Sequence, residues 1–317
     1  MDTWIPLVEA LAGVAATLRQ HEPQPLAGAQ ADGVLLREMP ADAYHADRDA
    51  LSCSTLKPLL ISPAHFQAQL TAVTSDSPAK DFGSLVHLLL LQPHLASTEL
   101  AVYPGVGCGR DREFKAFLAR NAHRLAVDEP TFAEALCLAG KVSETPYKGR
   151  PIGRFIEEAM CETTIYFTEP VTGLRLRIRL DAYHPDVSFD LKTTRHSTPA
   201  AFARDAIELN YDLQAFMYGL GRRLFEGGST APFVFIAAET AAPHSIGTFE
   251  AGTTFLENGA AKLQACLTAF KACSQTGYWP DLGCSTTIEI APWQQFSPQQ
   301  DWRLNLDASA SSAGSVT

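Results

Sequence analysis

The sequence predicts an α/β fold of the α+β type, in which helices flank a central mixed β-sheet. Between residues 160 and 194, apolar and polar residues alternate as in strands, and turn residues interrupt them at PVTG and YHPD. This pattern is typical of a half-buried three-strand meander. Helical spacing of apolar residues on both sides of the meander, with one further apolar strand, is typical of a mixed sheet covered by helices.

Four helical segments are expected between residue 35 and the meander. Ser54 is a candidate N-cap for the segment STLKPLLI. Residues 83–91 (GSLVHLLLL) form a mostly apolar helix that ends before a proline. Residues 111–125 and 130–142 also have helical spacing.

The chain after the meander is expected to return to helix at residues 198–225. Thr198 is its candidate cap, and Pro199 suits the first helical turn. The run APFVFIAAET predicts a short apolar strand, and a last helix is expected at about residues 254–275.

The domain organisation follows from composition. With 317 residues, of which 46% are apolar, the chain can form a large core. We expect one domain at residues 35–293, preceded by a helix and a Pro/Gly/Ala linker at residues 1–34. A polar Ser/Ala tail at residues 294–317 is expected to be disordered.

Charge and cysteine content exclude several classes of protein. The net charge of -10 argues against a basic protein that coats DNA non-specifically, but it allows DNA contacts confined to a channel. The seven scattered cysteines include no CxxC pair, which argues against a disulfide framework. The N-terminus lacks a basic leader, and no apolar run reaches the ~18 residues of a membrane span. We therefore expect a soluble, cytoplasmic protein with no membrane contact.

The meander carries the candidate catalytic residues. If LRLRIRLD and VSFDLKTT pair through the YHPD turn, Asp181 and Asp190 converge on one face with Lys192 beside them. Two carboxylates suit Mg²⁺, and a lysine can orient a water or stabilise developing charge. The three side chains could thus attack a phosphodiester. The alternative is a surface strand pair with a solvated ion pair.

This D-x(n)-D-x-K pattern resembles that of the restriction-endonuclease-like nucleases, PD-(D/E)xK enzymes, and it implies their core fold. Downstream, Tyr211, Gln214 and Tyr218 share one helical face. A QxxxY helix after such a hairpin resembles the RecB-like branch, in which both residues face the metal site and the DNA. That branch also has a G-x-x-x-H motif, which places His87 at the metal and makes Mn²⁺ a possible substitute. A satisfied amide and a core histidine are the alternatives.

Several stretches in the same order resemble the RecE-type exonucleases, the exodeoxyribonuclease VIII group. They are YHADRDALSCSTLKPLLISPAHFQA, FGSLVHLLLLQP, the hairpin from TTIYF to DLKTT, FARDAIELNYDLQAFMY, FVFIAAETAAP and YWPDL with IAPW. The resemblance implies a Mg²⁺-dependent, ATP-independent exodeoxyribonuclease of phage or prophage recombination. Such an enzyme degrades one strand of linear double-stranded DNA from the 5′ end and leaves 3′ single-stranded tails. It also implies a ring-shaped homo-oligomer and a single-strand annealing partner of the RecT type.

The resemblance assigns roles by position. The implied catalytic residues are Asp181, Asp190, Lys192, Gln214 and Tyr218, and the implied metal-site residues are Asp181, Asp190, His87, Glu162 and the Leu191 carbonyl. Hydroxyls and free amides at a helix N-terminus bind phosphate. The expected contacts with DNA or its 5′-phosphate are Ser52, Ser54, Lys57, Arg177, Arg179 and Tyr211. Simple capping by Ser54 and ordinary outward-facing strand arginines are the alternatives.

Three other interpretations remain open. An iron–sulfur nuclease would use Cys53, Cys266, Cys273 and Cys284, although their spacing lacks a close CxxC pair. A catalytically inactive protein that binds DNA ends is the second. The third is a soluble α/β domain in which the motifs occur by chance.

Overall fold

The structure is a computed structural model that describes residues 33–36, 39, 41–71, 78–228, 231–283, 287 and 289. The helix expected within the first 20 residues and the tail expected at residues 294–317 lie outside the described residues. Those two predictions therefore stay predictions. The described residues up to Asp281 form one compact unit.

Ten strands are described. In chain order they are β1 (Gly33–Leu36), β2 (Leu100–Tyr103), β3 (Leu125–Asp128), β4 (Pro146–Tyr147), β5 (Arg150–Pro151), β6 (Met160–Thr168), β7 (Arg175–His184), β8 (Val187–Thr194), β9 (Phe233–Glu239) and β10 (Ile246–Glu250). Six of them form the central sheet in the order β1-β6-β7-β8-β9-β10. Only β8 and β9 pair in parallel there, so the sheet is mixed, as predicted. The expected meander is β6, β7 and β8.

The helices surround this sheet. In chain order they are α1 (Ala41–Ala46), α2 (Cys53–Leu56), α3 (Pro63–Thr71), α4 (Pro78–Leu91), α5 (Ala96–Glu99), α6 (Arg112–Arg120), α7 (Glu129–Glu144), α8 (Ile152–Glu158), α9 (Pro199–Glu208), α10 (Tyr211–Glu226) and α11 (Thr253–Thr276), with 3₁₀ turns at Lys57–Leu60 and Pro93–Leu95. No described helix combines the length and the apolar character that a membrane span requires.

Hydrophobic cores cover both faces of the central sheet. Along β9, Phe233 and Phe235 pack into one cluster with residues of α10 and α11, whereas Val234 and Ile236 pack into a second cluster with residues of α4 and α7. Because side chains alternate along a strand, each face of β9 is buried. On β8, the apolar Val187, Phe189 and Leu191 pack into the second cluster, and the polar Ser188 and Asp190 on the opposite face are also buried, so this strand of the meander is covered on both sides and not half-buried as the alternation suggested.

Two expected helices are shorter than predicted. The helix expected at 198–225 is broken, because Asn210 adopts a left-handed conformation (φ 55°) between α9 and α10. Asparagine tolerates this conformation better than most residues. The helix expected at 111–125 ends earlier, at Arg120. Leu125, the last residue of the expected helix, instead begins strand β3, which pairs in parallel with β2. The strands β1 to β5 and β10 were not predicted, and β1 begins within the segment expected as a linker.

Helix α11 approaches α10 closely at a glycine, which leads to a stability prediction. A Cβ atom on Gly259 would lie 2.0 Å from the backbone oxygen of Asp212, whereas one on Gly219, inside α10, meets no atom within 4 Å. Overpacking a tight contact typically costs about 1–3 kcal/mol, so Gly259→Ala is expected to lower the free energy of unfolding by at least that amount. Gly219→Ala is expected to raise it by up to ~1 kcal/mol, because alanine favours helix. Urea unfolding of both variants measures this, and equal stabilities would contradict the packing.

Candidate active site

The central strands β7 and β8 separate where the acidic residues lie. Their paired residues run from His184–Val187 at the turn to Ala182–Phe189. The next residue of β7, Asp181, is not paired with β8 through the backbone. The Leu191 N–H on β8 donates instead to the Asp181 carboxylate, at 2.8 Å from Oδ2. The two strands therefore separate at Asp181, and we call this point the fork.

The strand geometry also changes at Asp181 and at Glu162, which faces it on β6. Leu180 packs into one hydrophobic cluster and Ala182 into the other, although residues two apart share a face in a regular strand. Glu162 has a positive φ of 51°. Both backbones thus depart from regular strand geometry at the same level, which brings the two carboxylates together.

A third side chain reaches this place from helix α4. His87 Nδ1 lies 3.9 Å from Glu162 Oε1 and 3.8 Å from Asp181 Oδ2, and its Nε2 lies 3.0 Å from the Leu191 carbonyl oxygen. A Cβ atom on Gly83, one turn earlier, would lie 2.9 Å from Thr193 Oγ1. Glycine in the G-x-x-x-H motif therefore lets α4 pack closely on β8, and His87 reaches the fork.

These three side chains form the candidate metal site. Their ligand atoms lie within 4.8 Å of one another, and among the residues that the structure describes they are the only such group of three or more histidines, cysteines or acids. Two carboxylates suit a hard divalent cation such as Mg²⁺, and an imidazole suits Mn²⁺. The donor set therefore fits the metal that the sequence predicts.

The ionisation of the candidate metal site reflects concentrated negative charge. Burial and the neighbouring Asp190 carboxylate raise the pKa of Asp181 to about 7. Burial opposes the imidazolium form of His87, but the nearby carboxylates of Asp181 and Glu162 outweigh burial and raise the pKa of His87 to about 9. Burial would raise the pKa of Glu162, yet the contacts with His87 and Arg179 lower it. The candidate metal site therefore stabilises positive charge, and a metal ion bound there would displace the proton of His87.

Asp190 lies beside this group, and its assignment as a metal ligand stays a prediction. Its side chain is 1% exposed, Gln214 Nε2 donates to Oδ1 at 2.6 Å, and Lys192 Nζ lies 2.6 Å from Oδ2. Oδ1 is thus held by α10, whereas Oδ2 has the ion pair with Lys192 but accepts no hydrogen bond. Asp190 holds Lys192 and Gln214 in place next to Asp181.

The Lys192 side chain stays protonated. Burial alone would lower its pKa, but the carboxylates of Asp190 and Asp181 outweigh burial and raise it. The ammonium group also lies 4.9 Å from the centroid of the Tyr211 ring, and Lys57 Nζ lies 5.3 Å from the same centroid. A lysine that keeps its proton is suited to orient a water or a phosphate and is poorly suited to act as a base.

A cavity of about 270 Å³ extends from the candidate metal site. Its lining residues are Tyr44, His45, Ser52, Cys53, Ser54, Lys57, Glu162, Arg179, Asp181, Gln214 and Tyr218. Burial raises the pKa of Tyr218 well above its usual value, so its hydroxyl stays protonated and able to donate. Most of the lining residues were predicted from the sequence. Tyr44 and His45 were missed, because no local signal shows that α1 lies over β7.

The residues predicted to bind phosphate line one wall of this cavity. Ser52, and not Ser54 as predicted, caps α2 by accepting a hydrogen bond from the Thr55 N–H at 3.3 Å. The hydroxyl groups of Ser52 and Ser54 lie 3.0 Å apart, and Lys57 Nζ donates to the Leu209 carbonyl at 2.7 Å. The wall thus presents two hydroxyls and an ammonium group held by the α9–α10 connection.

Arg177 and Arg179 do not form the exposed track that strand alternation suggested. Arg177 is 3% exposed, and its guanidinium donates to the backbone oxygens of Asp47 and Ala50 and lies over the Tyr44 ring. The segment after α1 covers this face of β7, so Arg177 is closed off from DNA. Arg179 donates to Glu162 Oε2 at 2.6 Å and lines the cavity.

The cysteines of the iron–sulfur interpretation form no ligand group in the described residues. Cys53, Cys266 and Cys273 are buried and free, and Cys284 lies outside the described part of the chain. Burial raises the pKa of the Cys53 thiol to about 11 and that of Cys266 to about 12. Thiols of this kind behave as small core side chains.

Comparison with known proteins agrees with this geometry. A family described as "PDDEXK-like domain of unknown function (DUF3799)" matches residues 52–289. No curated protein matches the sequence. A crystal structure from Eubacterium rectale, of a protein described provisionally as an exonuclease, is similar with a TM-score of 0.54 and 14% identity, over 81% of this chain and 97% of that chain. A second structure, SSO0001, reaches a TM-score of 0.25 and 13% identity over 67% of this chain and 84% of that chain, too low to support an argument.

Proposed function

The chain belongs to the PDDEXK-like domain family DUF3799, and from this premise we propose that it is a Mg²⁺-dependent, ATP-independent exodeoxyribonuclease. It degrades one strand of linear double-stranded DNA from the 5′ end. The observation that carries the proposal is the group of Asp181, Glu162 and His87, which lies beside a buried Asp190–Lys192 pair at one end of a cavity.

The residues divide the chemical work between them. Asp181, Glu162, His87 and the Leu191 carbonyl would hold the metal, which supplies Lewis-acid activation of water and neutralisation of phosphate charge. Lys192, as an ammonium group, orients the attacking water or the scissile phosphate. Gln214 fixes Asp190 and, through it, Lys192. The Tyr218 hydroxyl, which lines the cavity and stays protonated, would donate a hydrogen bond to the substrate.

Exonuclease action is supported by the wall of the cavity. The cavity joins the candidate metal site to the segment that carries Ser52, Ser54 and Lys57. Ser52, Ser54 and Lys57 offer hydroxyl and ammonium groups to a terminal phosphate. The 5′ polarity rests on the resemblance to the RecE-type enzymes.

The biological setting is proposed on the same resemblance. The 3′ single-stranded tails would serve recombination by strand annealing with a RecT-type partner in the cytoplasm of a bacterial host. A ring-shaped homo-oligomer would hold the duplex while one strand is digested. Mn²⁺ would substitute for Mg²⁺, because an imidazole is among the ligands.

A catalytically inactive protein that binds DNA ends is the second candidate. The charged residues Asp181, Asp190 and Lys192 are all present at the fork. Gln214 donates a hydrogen bond to Asp190, and the Leu191 amide donates one to Asp181. This buried, charged arrangement favours the enzyme, because buried carboxylates and ammonium groups destabilise a fold and are concentrated at functional sites.

Cleavage of matched DNA substrates tests the proposal. The purified chain is incubated with end-labelled linear duplexes that carry a 5′-phosphate or a 5′-hydroxyl, and with a closed circle, in Mg²⁺, Mn²⁺ or EDTA. We expect metal-dependent loss of the linear duplexes, faster with the 5′-phosphate, and an intact circle. Cleavage of the circle would refute an exonuclease, and uncut linear duplexes in both metals would refute a nuclease.

A further inference from the structure

Helix α6 and the residue before its cap carry cations that have no partner in the described part of the chain. The protein is acidic, with a net charge of -10. Most described lysines and arginines contact a carboxylate, a carbonyl oxygen or an aromatic ring, as Arg150 does with Glu158. Four cations without such a contact occur close together in the sequence, and we call them the basic surface: Arg110, Arg112, Lys115 and Arg120. All of them are exposed.

Three of these cations lie on one side of the helix. At 100° per residue, Lys115, Arg112 and Arg120 fall within an arc of about 140°. The positions between them on this arc are Ala116 and Ala119, both exposed. Small residues between the cations leave the helix surface open to a large partner, and no carboxylate interrupts the arc.

The other side of α6 is used for packing. The rings of Phe114 and Phe117 lie 5.1 Å and 5.3 Å from the ring of Tyr103 on β2. The helix is therefore anchored by its aromatic side, and its orientation turns the cations outward.

The carboxylates near the basic surface are engaged by the backbone. Glu129 Oε2 accepts from the Gly105 N–H at 2.9 Å, and Asp128 Oδ2 accepts from the Gly107 N–H at 2.8 Å. Asp111 caps α6 by accepting from the Glu113 N–H at 2.9 Å. These contacts tie the loop before α6 to the start of α7. Glu113, exposed at the edge of the arc, is the remaining acidic side chain of the helix.

We propose that the basic surface binds the phosphate backbone of duplex DNA outside the cavity in which cleavage occurs. Duplex DNA carries one negative charge per ~1.7 Å of its axis, and a local group of unpaired cations attracts it even on an acidic protein. Helix α7, to which the loop is tied, packs against α4, which carries His87. The basic surface is thus connected to the layer that holds the candidate metal site.

The basic surface supplies affinity and orientation and takes no part in the chemistry. Phosphate contacts carry no sequence information, so the binding is expected to be independent of DNA sequence. This inference rests on the proposed function for the identity of the partner, but binding can be measured without cleavage.

The salt dependence of binding tests the proposal. Fluorescence anisotropy of a labelled linear duplex in EDTA gives the association constant between about 50 and 200 mM KCl. In the variant R112A/K115A/R120A, each lost phosphate contact should reduce the slope of log K against log [salt] by roughly 0.9, so by close to 3 for all three. Affinity at the lowest salt concentration should fall by at least about tenfold. Alanine favours helix, and circular dichroism checks that α6 and the fold persist.

A matched control removes the same charge elsewhere. The variant K148A/R154A/R223A also lowers the net charge by three, at exposed positions on other elements, and its slope should stay near that of the unaltered chain. Equal slopes for the two triple variants would overturn the inference even if the enzyme cuts DNA. A reduced slope with no metal-dependent cleavage would support the inference and refute the nuclease. If the unaltered chain binds no duplex, the inference is refuted, whereas the nuclease is refuted only if linear duplexes stay uncut in both metals.

Discussion

Replacing Asp190 with asparagine is expected to reduce metal-dependent cleavage of linear duplex DNA by roughly 10²–10³-fold, the loss typical of removing one preorganised charged contact. The amide oxygen of the introduced asparagine can still accept from Gln214, so the position of α10 is kept. The negative charge opposite Lys192 is lost, however, and with it the 2.6 Å ion pair that fixes the ammonium group. Single-turnover cleavage with 5′-phosphorylated linear duplex measures the effect.

The control for this variant is an aspartate in the same hairpin. Asp186 lies in the turn between β7 and β8, and its side chain is 85% exposed. Asp186→Asn makes the same chemical change and is expected to leave cleavage within about a factor of two of the unaltered rate, since exposed ion pairs contribute little. Full activity in Asp190→Asn, with the fold intact by circular dichroism, would remove the fork from the mechanism.

The sequence predicts the fork because strand alternation and turn residues are local signals. Asp190 and Lys192 are two residues apart on one strand, so their common face follows directly from the period of the strand. Asp181 is different. The change of face between Leu180 and Ala182, opposite the left-handed Glu162, breaks that period. No local sequence pattern marks such a break. Asp181 and Glu162 lie close together because their strands, β7 and β6, are paired.

Contacts that join distant parts of the chain were the ones missed. The alternation in LRLRIRLD correctly separates Arg177 from Ile178, but it cannot show that residues 41–50 lie over the arginine face and bury it. Tyr44 enters the cavity wall for the same reason. His87, in contrast, was predicted from the sequence. Gly83, four residues earlier, belongs to the G-x-x-x-H motif, and this motif can be recognised without knowing which strand the helix packs on.

The largest loss of stability is expected for Arg222→Leu, at a residue that belongs to none of the motifs. Arg222 is 2% exposed, and its guanidinium donates to Glu226, to Ser188 Oγ at 3.0 Å and to the Pro185 carbonyl at 2.7 Å. The Tyr183 hydroxyl donates to the same Glu226 carboxylate. Removing the arginine leaves a buried carboxylate without its cation. Such a loss costs about 3–5 kcal/mol.

Thermal unfolding measures this cost, and the neighbouring residue provides the control. At about 2–4 °C per kcal/mol for large domains, Arg222→Leu should lower the unfolding midpoint by roughly 10 °C. Arg223, the next residue of α10, is exposed and has no side-chain contact in the described chain. Arg223→Leu should therefore change the midpoint by less than about 2 °C, in line with typical surface substitutions.

A double variant separates the ion pair from the other contacts of Arg222. In Arg222→Leu/Glu226→Leu both buried charges are gone, and replacing a buried pair with apolar residues is often neutral or stabilising. We expect the double variant to regain most of the lost stability. If it stays as unstable as the single variant, the cost comes from the unmet Pro185 carbonyl and the Ser188 hydroxyl. The arginine would then act mainly as a clamp on the turn that sets the register of β7 and β8, and hence the place where their fork opens.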